Sequence, residues 1–234
     1  MKFENTEVFN FEGALRGMRN PMNSWDRKDS YQGKYHYIIG ENDLKLAQTL
    51  IKAGSEHRKF MRQIFVSVDI TAPLYWWKEE ETYKIGTTAN STSFMHKGIS
   101  KPFELNDFEI DTLTNSRQEI STKDKKEWEK DWEYIINRLN KLRNEYLKTK
   151  NKSIWRHILQ ILPESYLQTR TVTMTYENVF NIIHQRKNHK LNEWSGIDNI
   201  NEPNFISWAK ELPYAEELLF IEKKIYCAFD RKFN

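Results

Sequence analysis

Cysteine occurs once in these 234 residues, at Cys227. A single cysteine excludes an intrachain disulfide and any zinc site built on thiolates. Its setting, Lys224-Ile-Tyr-Cys-Ala-Phe229, is mostly apolar and reads as a small buried hydrophobe, because a reactive thiolate needs a cationic, open site. Charge of one sign is lacking too. The 36 Lys and Arg nearly balance the 33 Asp and Glu, leaving +3, and no long single-sign block appears. A nucleic acid polymer is therefore not an expected partner, although a modest cationic bias suits phosphorylated small molecules. No apolar run approaches the ~20 residues of a membrane span. The start, MKFENTEVFNFEG, has neither the basic nor the apolar region of a signal peptide. The expectation is a soluble, cytoplasmic protein that does not enter membranes. Phosphate-binding loops, the dinucleotide glycine fingerprint, the G-x-S-x-G elbow and H-E-x-x-H are also absent, which removes several enzyme classes.

Aromatic residues are plentiful: 8 Trp, 11 Tyr and 13 Phe. So many argue for a packed core and against disorder. The length suits one large domain or two small ones, and the chain reads as one domain over 1–234. Residues 41–54 predict a helix, with Leu44, Ala47, Leu50 and Ile51 at helical spacing, Asn42 or Asp43 as cap and Gly54 as stop. Phe65–Thr71 alternates and is β-branched, as a strand with one buried face should be, and Ala72-Pro73 ends it. Residues 74–86 suit a helix or an extended segment, and 87–93 a polar loop. A long helix is expected over 122–147, as an excursion, with Trp128, Trp132, Ile135, Leu139, Leu142 and Tyr146 on one stripe. Further helices are expected at 153–162, 176–191, 205–212 and 216–229, and a strand at 171–175. The pattern is α+β, helix-rich, with a small central sheet.

Three stretches carry candidate chemistry. In Arg186-Lys-Asn-His-Lys-Leu-Asn-Glu-Trp-Ser-Gly196, a continuing helix would set Arg186 beside Lys190 and His189 beside Glu193. That suits a solvated helix end. A metal would need a third ligand that the sequence does not supply, so none is expected. In Leu162-Pro-Glu-Ser-Tyr-Leu-Gln-Thr-Arg170, the arginine stands where a helix gives way to a strand, and its planar fork can take a phosphate. The segment Ala72–His96 combines Trp76, Trp77, Glu79, Glu80 and Glu81 with a hydroxyl-rich loop. This is equally compatible with packed tryptophans beside a surface turn and with a binding site.

The order of these pieces resembles the flavin-dependent thymidylate synthases. That family has a helix, a G-H-E-x-P-F-E-H turn, a strand ending in Ala-Pro and the signature R-H-R-x-x-S-x-N-E-x-S-x-R-Y. Here Gly54-Ser-Glu-His-Arg-Lys-Phe-Met-Arg62 takes the place of the turn, Phe65–Pro73 is similar to the strand, and Thr82–His96 falls on the signature. Later come Leu162-Pro163, Thr169-Arg170, Asn181, Arg186, and His189 with Glu193-Trp194, in the family's order. The likeness covers roughly residues 12–197. The signature is eroded. Thr82-Tyr83-Lys84 replaces Arg-His-Arg, Asn90 matches only with an inserted residue, Ser93 matches the second Ser, and Met95 stands near a lost Arg. Asn192-Glu-Trp-Ser-Gly196 mimics part of the signature but lies too near the C-terminus to be it.

The resemblance implies FAD as cofactor, dUMP or a related pyrimidine deoxynucleotide as substrate, methylenetetrahydrofolate as carbon donor, and a homotetramer with sites between subunits. It implies Arg170 and Ser93 at the nucleotide phosphate, with Glu79 also in the substrate site. Arg186 would polarise a pyrimidine carbonyl, and Ser93 and Arg186 would form the catalytic pair. His57, Tyr83, Lys84, Asn181 and His189 would hold the flavin. The missing arginines remove planar, multi-donor cations from such a site. They leave open a second implication, a relative that binds nucleotide without flavin chemistry.

Overall fold

The computed structural model describes residues 1–110, 113, 121–197 and 202–221, apart from the side chains of Met95 and His96. Cys227 and most of the expected last helix lie outside the described residues; before them stands a short π-turn, Ala215–Leu219.

A four-stranded antiparallel sheet organises the chain. The strands are β1 (Lys2–Phe9), β4 (Phe65–Pro73), β5 (Thr88–Ser91) and β6 (Leu167–Thr175), in the order β1-β4-β6-β5; β2 (Tyr31–Gln32) and β3 (Tyr37–Ile38) pair separately. Alternation in β4 sends Val66, Val68, Ile70 and Ala72 into the core, as the sequence predicts. The register sets Val68 against Val172 and Val66 against Met174. Burying each such side chain contributes about 1.5–3 kcal/mol. The other face carries hydroxyls: Thr71 and Thr169 share a 2.7 Å hydrogen bond, and Thr171 donates to Asp69 at 2.6 Å.

Helices cover the apolar face. Glu41–Ala53 buries Ala47 and Ile51. It ends at Gly54, whose φ of 117° lies where only glycine is comfortable. Neither expected cap acts as one. Asp43 is fully buried and accepts from Arg19 Nε at 2.5 Å, while Asp29 accepts from the N–H groups of Asn42 and Asp43. Helix Tyr176–Arg186 buries Val179, Phe180, Ile182 and Ile183. Thr175 and Asn178 close a reciprocal capping box at its start, a feature that contributes about 1 kcal/mol. A second, smaller core joins Phe103, Phe108, Leu139, Leu142 and Ile158, where the long helix Thr122–Thr149 meets Lys152–Ile161. Trp128, expected on its apolar stripe, is 39% exposed.

The structure departs from the sequence reading at several points. Residues 2–9 and 88–91 are edge strands, not turn and loop. Every residue of β5 is exposed, so no buried face exists to write an alternating pattern. β6 begins at Leu167, so Arg170 lies inside a strand, opposite Ile70 and Ser91, rather than at a junction. The helix expected to reach 191 stops at Arg186. His189 then turns the chain: its N–H donates to the Arg186 carbonyl and its Nδ1 accepts from the Leu191 N–H. Arg186/Lys190 and His189/Glu193 are therefore not i, i+4 pairs on one helix. No described helix is long and apolar enough to cross a membrane.

Candidate functional site

Pro73 ends β4, and the helix Leu74–Glu80 follows at once. Its first N–H groups, at Leu74 and Tyr75, donate to the Tyr166 and Glu164 carbonyls, which ties the helix to the start of β6. Trp76 and Trp77 are fully buried, and Trp76 packs on Trp194 with centroids 4.5 Å apart. The packing reading of these tryptophans is the one observed. It forces the adjacent carboxylates apart: Glu79 faces one way, Glu81 another, and Glu80 goes inside.

Glu79 collects three donors. Arg186 reaches its Oε2 at 3.0 Å, the Trp194 indole N–H at 3.1 Å, and His189 Nε2 stands 3.4 Å away. Arg186 also donates to the Tyr83 hydroxyl at 2.8 Å, and that hydroxyl donates to Gln185 at 3.1 Å. The guanidinium lies 5.2 Å from the Trp194 ring centre and 5.5 Å from that of Tyr83, within cation–π reach. Four residues singled out in the sequence, Glu79, Tyr83, Arg186 and His189, thus form one contact network.

Arg170 belongs to a neighbouring network. It donates to Glu81 and to Gln168, both at 3.1 Å, and lies 4.3 Å from the Trp77 ring centre. Glu80, 3% exposed, has an Oε1 without a hydrogen-bond partner. Burial pushes its pKa up to about 7; Arg170 opposes the rise and Glu81 adds to it. A carboxyl so placed exchanges a proton near neutrality.

A third network was not singled out as a site from the sequence. Glu177, in the first turn of its helix, accepts from Arg58 Nε at 3.1 Å and from Arg62. Arg58 also donates to Asn181 Oδ1 at 3.3 Å and covers the Phe180 ring. Beside it opens a cavity of about 660 Å³, lined by Tyr83, Gly86, Asn178, Asn181, Gln185 and Arg62 among others. A groove of about 890 Å³ lies on the other side of Arg62, lined by Met18, Met22, Leu46, Leu50, His57 and Phe60 among others. The signal was present in the sequence, since Arg58 and Arg62 stand four apart in the stretch aligned with the family's turn.

The remaining candidates are dispersed. His57 is exposed on the second groove, away from Tyr83 and Asn181 on the first. Lys84 is exposed after the turn Glu81–Tyr83. Ser93 starts a one-turn helix, Phe94–Lys97. Its neighbour Thr92 accepts from Gln168, the residue that holds Arg170, but no described contact joins Ser93 itself to either arginine. Among the described residues no group of His, Cys, Asp and Glu is arranged to hold a metal ion.

No family model and no curated protein matches this sequence. Solved structures do match. A crystal structure of thymidylate synthase X (ThyX) from Helicobacter pylori with FAD and dUMP has a TM-score of 0.62 and 14% identity, over 92% of this chain and 94% of that one. A second structure of the flavin-dependent enzyme ThyX from the same organism, complexed with FAD and dUMP, reaches 0.64 at 14% identity, over 94% and 98%. At that identity the likeness speaks for the fold, and it spans nearly the whole of both chains. The α+β architecture expected from the order of the sequence pieces is the one observed: this chain has the fold of the flavin-dependent thymidylate synthases.

Proposed function

We propose that this chain binds a pyrimidine deoxynucleotide, dUMP or a close relative, together with FAD. On this reading it transfers a one-carbon unit from methylenetetrahydrofolate to the pyrimidine C5. The observation carrying the proposal is the meeting of Glu79, Tyr83, Arg186 and His189 in one network, in a chain whose fold is that of proteins solved with FAD and dUMP. Glu79 and Tyr83 fix the Arg186 fork, so its remaining N–H groups can polarise a pyrimidine carbonyl as charge builds on the ring. Arg170, clamped by Glu81 and Gln168 and backed by Trp77, takes the phosphate, with Ser93 as a further donor. Glu80, with its pKa near 7, lies close enough to feel Arg170 and Glu81 and holds a proton that this end of the site can exchange.

The residues present suit FAD. The cavity beside Tyr83 and Asn181 is walled by side-chain amides. Arg58 and Arg62 outnumber Glu177, their only carboxylate partner. When bound, the flavin supplies the reducing equivalents, and the chain supplies orientation and electrostatics. His57, Lys84 and His189 are further proposed contacts to it. Because these groups lie on separate surfaces of the chain, a complete site on this reading is assembled between subunits of a homotetramer with closed symmetry. Light scattering that returns a 28.2 kDa particle at micromolar concentration would reject that assembly.

A second reading is favoured by one specific observation. Arg170 and Arg186 each already hold a carboxylate, Glu81 and Glu79. A phosphate must displace Glu81 or share Arg170 with it, which favours a relative that binds nucleotide weakly, as a sensor or assembly module without flavin chemistry. Calorimetric titration with dUMP, with and without FAD, separates the readings. The first expects flavin absorbance or saturable FAD uptake, and dUMP binding that strengthens with FAD. The second expects dUMP binding indifferent to FAD. If neither ligand binds, both readings fail.

A further inference from the structure

Arg62 is the only residue that lines both the 660 Å³ cavity and the 890 Å³ groove. The two spaces differ in chemistry. The cavity offers side-chain amides. Asn181 and Gln185 use their oxygens to accept from Arg58 and Tyr83, and their NH2 groups are left as donors for ring carbonyls. The groove offers Met18, Met22, Leu46, Leu50 and Phe60, an adaptable apolar lining suited to a flat ring. Between them stands a cation that is half exposed: the Arg62 side chain is 48% accessible, whereas that of Arg58 is 9%.

The charge balance leaves Arg62 available. Glu177 carries one negative charge and faces two guanidinium groups. Arg58, buried beside it, neutralises Glu177 without help, so Arg62 is the surplus charge. Arg62 donates to Glu177 through Nε and NH2, and to the Ser55 carbonyl through NH2; its NH1 makes no described hydrogen bond. An arginine fork with an uncommitted edge, on a ridge between two ring-sized spaces, matches an elongated ligand with phosphate in its middle and a ring at each end. We infer that Arg62 is the phosphate anchor of such a dinucleotide. The amide-walled cavity takes the ring rich in carbonyls, and the methionine-lined groove takes the other ring. This rests on the proposal that FAD binds, and FAD is the probe.

Three probes test it by quenching of flavin fluorescence: FAD, FMN and riboflavin, against wild type, R62Q, R62K and L46W. Matched melting curves for the variants check folding, which an exposed ridge residue should leave intact. The expectation is that R62Q weakens FAD and FMN tenfold or more, leaves riboflavin unchanged and abolishes the salt dependence of FAD binding. R62K restores the salt dependence but only part of the affinity, because a point charge lacks the fork. L46W, which fills the groove, weakens FAD and spares FMN. If wild type binds FAD and R62Q binds it equally well, the anchor is wrong while the flavin proposal stands. If wild type binds no flavin at all, the proposal and this inference fall together.

Discussion

Helix Tyr176–Arg186 has an ion cluster at each end, and the two clusters are charged differently. At its N-terminal end one carboxylate, Glu177, meets two arginines, Arg58 and Arg62. At its C-terminal end Arg186, and nearby Arg170, face three consecutive carboxylates, Glu79, Glu80 and Glu81. Each cluster suits its end of the helix dipole, with an acid in the first turn and a base in the last. The first has a cation to spare and the second has none. The same residue type therefore has two roles. Around Glu177 the carboxylate is the buried partner on which arginines depend. Around Arg170 and Arg186 the carboxylates hold the arginines in place and compete with any incoming anion. An anionic ligand gains most at the first cluster and must compete hardest at the second.

The largest effect that tests this contrast is on stability at Glu177. E177Q removes the only carboxylate beside Arg58, whose side chain is 9% exposed. Stranding a buried charge costs about 3–5 kcal/mol. Partial solvation of Glu177 and the exit of Arg62 to water place the expected loss near the lower figure. Urea unfolding measures it. A loss below about 1 kcal/mol would mean that the two clusters do not differ in burial energetics.

Next in size is a pH effect at Glu80. Its folded pKa, about 7, lies above the ordinary 4.5. The folded state therefore binds more protons than the unfolded chain between those values, and stability falls as pH rises through that window. E80Q removes the penalty. It should match wild type near pH 4 and be more stable by roughly 3 kcal/mol at pH 8. Equal unfolding midpoints for the two proteins at pH 8 would show that Glu80 stays comfortably ionised there. The second cluster would then carry a full negative surplus.

A smaller effect is expected at Gly86, which lines the cavity beside the first cluster. Its φ is +77°, and an added Cβ would come within 3.1 Å of Asn178 Oδ1. G86A should cost about 1–2 kcal/mol through backbone strain, and more if Asn178 cannot yield, because its Nδ2 donates to the Ile85 carbonyl at 2.7 Å. Should G86A melt with wild type, the turn is free to rearrange and the cavity wall it forms is soft.

The contrast between the clusters also marks what the sequence could disclose. Alternation in Phe65–Pro73 and the spacing of Leu44, Ala47 and Ile51 fixed a strand and a helix, because each has one buried face. Arg186 and Asn181 stood out by their spacing, and Glu79 by its place in an odd run of carboxylates. Their partners were another matter. Glu177 lies more than a hundred residues from Arg58 and Arg62, and nothing local to either says that they pair. The edge strands β1 and β5 were hidden for the same reason: they form by pairing with β4 and β6, not by burying a face of their own. The end of the helix at Arg186 was missed because the polar pattern runs on past it. The stop comes from His189, whose ring nitrogen accepts from the chain two residues on.

The smallest stability effect belongs to Glu79, and it is the sharpest test of the contrast because the substitution matches that at Glu177. E79Q also deletes one carboxylate that faces an arginine. Glu79 is 34% exposed at its side chain, and Arg186 is 18% exposed. Water can therefore replace part of what the charge provided. The amide oxygen of glutamine can still accept from Arg186 and from the Trp194 indole. Arg186 also keeps the Tyr83 hydroxyl at 2.8 Å and the faces of two rings. The expected loss is under about 1 kcal/mol, the usual range for a partly exposed pair, and it should shrink further in high salt. Unfolding E79Q and E177Q side by side in urea reads the difference directly. Equal losses of about 3 kcal/mol would place both carboxylates in the same structural role. A small loss at Glu79 beside a large one at Glu177 leaves Glu79 as a displaceable clamp on Arg186, a carboxylate that a ligand can replace without unfolding the helix that carries it.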